Sequence, residues 1–75
     1  MTYQEHKLIM RSKARLARGL VNLLIDDTEQ MCIDVEDFDM FSLNEAIREA
    51  KRTTQSLLDT VNELERDIRL AKRDA

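Results

Sequence analysis

Leu43, Ile47, Ala50, Thr54, Leu57, Val61, Leu64, Ile68 and Ala71 follow one another at alternating spacings of four and three residues. Such a heptad seam keeps a narrow apolar stripe facing a partner helix over its whole length, so more than a third of the chain is built to lie lengthwise against another helix. Thr54 is the one polar residue in the stripe. Its hydroxyl can bond back to the preceding turn, and a polar residue at such a position helps to set register.

The sequence has no proline, a single glycine (Gly19) and 36% charged residues, a composition of long helices, and the expected fold class is all-α. Seventy-five residues form one domain at most, and a chain so short covers only about 60% of its unfolded surface on folding. Small proteins make good that deficit with disulfides, a structural metal or association. One cysteine, Cys32, allows no internal disulfide, and with one histidine it provides no soft four-ligand set for zinc. Association remains, most simply as a homodimer.

Thr2 and Glu5 form a T-x-x-E capping box that starts a first helix expected over residues 3–25. Ile9, Met10, Ala14, Leu16, Ala17, Leu20, Val21, Leu23 and Leu24 cover about half its circumference, more than one neighbour would occupy. Ala14, Ala17 and Gly19 suit a close approach or a slight bend. Residues 26–42 read as an acidic connector, with a short helix favoured near Glu29 to Glu36 and with Phe38, Met40 and Phe41 capping the open end of a bundle. Ser42 and Glu45 supply a second capping box, from which the long heptad helix is expected to run over residues 43–73. Arg69, Lys72 and Arg73 stand where the helix dipole favours cations. Surface support comes from Glu65–Arg69 at i,i+4 and from Glu45–Arg48, Glu49–Arg52 and Glu63–Arg66 at i,i+3. On these bounds the second helix outreaches the first by about 10 Å, leaving Ile68, Leu70 and Ala71 for another subunit to cover. The architecture expected is an antiparallel helical hairpin that dimerises into a four-helix bundle, with Leu57, Val61, Leu64 and Ile68 at the centre of the packing seam.

Two charged features are candidate partner sites. Lys7, Arg11, Arg15 and Arg18 share an arc of about 80° on the first helix, opposite its apolar face. Such a stripe suits an acidic protein or the phosphates of RNA or DNA, while its plainest use is a solvated face. The net charge of −3 and the near absence of aromatic residues for base stacking weigh against nucleic acid. Asp34, Glu36, Asp37 and Asp39 form an acidic surface suited to a basic partner. They do not make a calcium loop: counted from Asp34, position five is Phe38 and the required glycine at position six is Asp39. His6 and Cys32 belong to no catalytic pattern that positions a nucleophile in a cleft. No cofactor is implied. The early apolar runs are broken by Lys7, Arg11, Lys13, Arg15 and Arg18, and Leu20 to Ile25 is far shorter than a membrane span, so a cytoplasmic protein without membrane attachment is expected. The function that fits is a small non-enzymatic protein–protein interaction module (adaptor, regulator or inhibitor) acting as a helical dimer, with an RNA- or DNA-binding dimer as the alternative.

Overall fold

In the computed structural model residues 1–74 are described, and they form two helices. These are α1 (Tyr3–Glu36) and α2 (Met40–Asp74), joined by a turn at Asp37, Phe38 and Asp39 and packed against each other as an antiparallel hairpin. At 1.5 Å per residue each helix is about 51–53 Å long, which accounts for a rod of 55 × 14 × 11 Å between Cα atoms. The radius of gyration is 16.9 Å, against about 11 Å for a compact chain of this length.

The first helix begins where the capping box places it. The Glu5 amide donates to Thr2 Oγ1 at 3.2 Å and the Thr2 amide donates to Glu5 Oε1 at 3.4 Å. Its end is a correction to the sequence reading. Residues 26–36, assigned there to the connector, continue α1 without a break. Asp26, Asp27 and Thr28 are weak helix formers, yet none removes a backbone donor as proline would, and Thr28 bonds its hydroxyl back to the Ile25 carbonyl at 2.9 Å. Covering Leu24 and Met31, on either side of this stretch, against α2 then outweighs local propensity, as tertiary packing commonly does.

The turn is a Schellman motif. Phe38 donates its amide to the Val35 carbonyl at 3.2 Å and Asp39 donates to the Asp34 carbonyl at 2.9 Å, with Phe38 at φ 53° in the left-handed position that glycine usually takes. Asp39 then caps α2, accepting from the Ser42 amide through Oδ1 at 3.1 Å. The helix therefore starts three residues before Leu43, with aspartate in place of the expected Ser42 as cap, since both residue types bond the first free amides equally well. Phe38 and Phe41, each 80% exposed, stand at the closed tip and cap nothing within the hairpin.

With helices of nearly equal length the expected overhang of α2 disappears. Asp74 reaches back to the start of α1, its Oδ2 accepting from His6 Nε2 at 2.9 Å and from the Met1 amine at 3.3 Å. Gly19 is exposed, with nothing within 4 Å of where a Cβ would stand, so it serves no close contact.

Candidate interaction surface

The surface left for a partner follows from the one the hairpin uses on itself. On α1 the covered residues are His6, Met10, Lys13, Ala17, Leu20, Leu24, Asp27, Met31 and Asp34, and on α2 they are Leu43, Ala46, Ala50, Thr53, Leu57, Thr60, Leu64, Asp67 and Ala71, with Ile47 and Ser42 also half-covered. Both sets run at alternating four- and three-residue spacings. Lys13 Nζ lies 2.8 Å from Asp67 Oδ2, as His6 lies 2.9 Å from Asp74, so facing positions sum to 80. The same register sets Leu20 opposite Thr60, Asp27 opposite Thr53 and Asp34 opposite Ala46.

This seam shares only one row of α2 with the stripe legible in the sequence. Leu43, Ala50, Leu57, Leu64 and Ala71 belong to both, but the hairpin completes its contact with Ala46, Thr53, Thr60 and Asp67, small or polar residues that allow close approach. The other sequence row, Ile47, Thr54, Val61 and Ile68, turns to the open face, where Val61 is 49% exposed. Thr54 bonds back to the Ala50 carbonyl at 2.7 Å, as expected of a threonine in a helix interior. Of the dimer-seam residues read from sequence, Leu57 and Leu64 are half-buried against α1, whereas Val61 and Ile68 are exposed.

Beside Val61 and Ile68, α1 contributes Val21 and Val35, both exposed, to the same face. Two open grooves lie along it. One, of about 550 Å³, is lined by Tyr3, Lys7, Met10, Arg11, Ala14, Leu64 and Ala71, and the other, of about 580 Å³, by Met31, Ile47, Ala50, Thr54 and Leu58. A second apolar ridge, Ile9, Leu16 and Leu23, is exposed on the opposite flank of α1. Among the described residues Ala46 is the one hydrophobic residue buried outright. The breadth of apolar surface on α1 thus exceeds what α2 covers.

All four cations of the basic stripe are exposed, and none makes an ion pair among the described residues. The stripe does not stand opposite the apolar face as the sequence projection had it: Lys7 and Arg11 line the first groove beside Met10 and Ala14. Arg15 points furthest from that face. Of the acidic set, Glu36, Asp37 and Asp39 are exposed, but Asp34 is 3% exposed and sits in the seam, so it presents no charge to a partner. Gln30 donates to Asp34 Oδ1 at 2.9 Å while Oδ2 has no partner, and Asp27 Oδ2 is likewise buried and unbonded.

Charge along the rod is divided by helix half. Residues 1–18 carry Lys7, Arg11, Lys13, Arg15 and Arg18 against Glu5, a balance of +4, and residues 19–39 carry seven acids and no base. Residues 40–57 carry three bases and two acids, and 58–74 four bases and five acids. The open end of the hairpin therefore bears +3 and the closed end −6, which sum to the net −3 of the sequence.

Glu45–Arg48 and Glu49–Arg52 form the surface pairs expected of them, at 3.0 and 3.4 Å, whereas Glu63 lies 3.8 Å from Lys13 across the seam. His6 and Cys32 are 26 residues apart on one straight helix, about 39 Å, so no chemistry joins them. Among the described residues no three His, Cys, Asp or Glu side chains converge to hold a metal ion. The Asp74 carboxyl is held below its ordinary value of 3.8, first by the hydrogen bond from His6 and then by the bond and charge of the Met1 amine. Among the described residues no helix is long and apolar enough to cross a membrane. Comparison with protein-family models, with curated proteins and with solved structures finds no match to this chain. The seam row Ala46, Thr53, Thr60, Asp67 had escaped the sequence reading. Its signal was present as a seven-residue repeat of small and polar residues whose acidic members, Asp67 and the next in register, Asp74, mirror Lys13 and His6.

Proposed function

We propose that this chain is a small non-enzymatic protein–protein interaction module, an adaptor, regulator or inhibitor, that works as a dimer of hairpins packed into a four-helix bundle. One observation carries the reading: exposed apolar residues, Val21 and Val35 of α1 beside Val61 and Ile68 of α2, are spread along one face of a 55 Å rod and are left uncovered by the packing of the two helices. The accessible surface is 5889 Å² for an 8.8 kDa chain, where a compact monomer of that mass exposes about 4,800 Å². The excess of about 1,100 Å² is more than the roughly 800 Å² that each partner gives to a stable interface. Sedimentation equilibrium tests this directly. A species of twice the chain mass at micromolar concentration is expected, and a strictly monomeric protein with a cooperative melt would overturn the reading.

The charged faces give such a dimer its means of selecting a target, because segregated charge governs encounter rate and specificity more than affinity. Arg15→Glu should abolish capture of a bound protein partner while the sedimentation profile stays dimeric. Undiminished capture would remove the basic stripe from target binding. A cytoplasmic location fits the lone, unpaired Cys32.

The four cations that make no ion pair among the described residues also support a second reading, an RNA- or DNA-binding dimer. Binding through several phosphates falls log-linearly with salt. Failure to bind mixed RNA and DNA pools at about 50 mM salt would exclude it, since binding of this kind is strongest at low salt.

A further inference from the structure

We infer that the apolar face is covered by a second copy lying antiparallel, so that the basic half of one α1 stacks on the acidic half of the other. The inference rests on the dimer reading above and adds the polarity and the contacts of its interface.

Two arrangements bring the same faces together about a two-fold axis. When the turns lie at one end, α1 packs against the partner's α2 and the two −6 closed ends are forced side by side. When the turns lie at opposite ends, α1 packs on the partner's α1 running the other way, and each +4 half meets a half bearing seven acids and no base. Like charges placed together oppose the first arrangement and opposite charges favour the second. The equal lengths of α1 and α2 allow the two rods to overlap end to end with no apolar remainder.

The register follows from the midpoint of α1, between residues 19 and 20. Positions that sum to 39 come level across the axis, so Arg11 lies beside residue 28 of the other copy and Lys7 beside residue 32. Glu29 and Glu36, exposed on the same outer flank of α1 as Arg11 and Arg15, then come level with residues 10 and 3, on either side of Lys7 and with Glu29 next to Arg11. Lys7 and Arg11, which pair with no anion among the described residues, find them in the second copy, twice by symmetry.

The native cysteine reads out the polarity. Cys32 is exposed and can carry a nitroxide label. In the antiparallel dimer the two labels stand about 40 Å apart, and with the turns at one end they fall within about 25 Å. A distance near 40 Å by pulsed electron resonance supports the inference, and one under 25 Å overturns the polarity while leaving the dimer. Absence of intermolecular coupling in a monomeric sample removes the dimer itself. The contact has its own test. Arg11→Glu and Glu29→Arg should each weaken the dimer about tenfold, two surface pairs being lost in each case, and the double exchange should return it to within about threefold of wild type. A double exchange that weakens the dimer as much as the two single changes combined would refute the pairing.

Discussion

Breaking the Lys13–Asp67 pair should be unequal from its two sides. The Nζ–Oδ2 distance is 2.8 Å, and the side chains are 28% and 13% exposed, so the pair lies between a surface bridge and a buried one. An exposed pair contributes about 0–1 kcal/mol, and removing one member of a buried pair costs about 3–5 kcal/mol because the other is left charged and dry. Lys13 retains a second anion, Glu63 at 3.8 Å, and a long stem that can lift its ammonium into water. Asp67 has a short side chain and no other cation bonded to it among the described residues. Lys13→Met should therefore cost about 2–3 kcal/mol and Asp67→Ala about 1–2 kcal/mol. The double variant, with both desolvated charges gone, should fall within about 1 kcal/mol of wild type, giving a coupling of at least about 2 kcal/mol. Urea melts followed by circular dichroism at one fixed protein concentration measure the cycle, with the denaturant slope checked for constancy. Losses that add to within about 0.5 kcal/mol would show that the two residues act independently, and the account of the seam would be wrong.

Gly19→Ala should stabilise the protein by about 1 kcal/mol, because the position is helical and open to solvent; a lower melting temperature would contradict this. Val61→Asp should leave the helix content of the single hairpin intact and dissociate the dimer, and a dimer unchanged in sedimentation would show that this face is not the interface. The acid limb depends on Asp74. Its folded pKa is depressed, so its stabilising contribution is complete above the ordinary value of 3.8 and disappears as pH falls through the lowered one. An NMR titration should place the Asp74 carboxyl midpoint below 3.8, with the ends of α1 and α2 separating as it protonates, and a midpoint at or above 3.8 would refute the clamp.

Helix class, hairpin topology and the first cap were legible because each rests on a local pattern: no proline, a capping box at Thr2 and Glu5, and a heptad run on α2. The extent of α1 was not legible, since Asp26, Asp27 and Thr28 carry a stop signal by propensity alone and only the packing of the neighbouring Leu24 and Met31 against α2 overrides it. The cap of α2 was misplaced for a related reason. Asp39 and Ser42 are equivalent cap residues, and the choice between them is made by the Schellman turn through Phe38, whose φ 53° no residue preference announces. On the interaction surface, the exposed cations and the row through Val61 and Ile68 could be read directly. Asp34 could not, because its place in the seam depends on the register with Ala46. The apolar stripe was legible as a stripe, but which helix it faced required knowing that a second, smaller row existed.

The antiparallel register also orders the way the hairpin comes apart. Near the turn, Asp34 and Ala46 are only twelve residues apart along the chain, whereas at the other extreme His6 meets Asp74 across 68. Closing the first contact ties down little chain and closing the last ties down almost all of it, so the structure behaves as a zipper with its slider at Phe38. Amide exchange should accordingly be slowest in the half of the rod next to the turn and progressively faster toward the two termini, where a single carboxylate fastens the helices together.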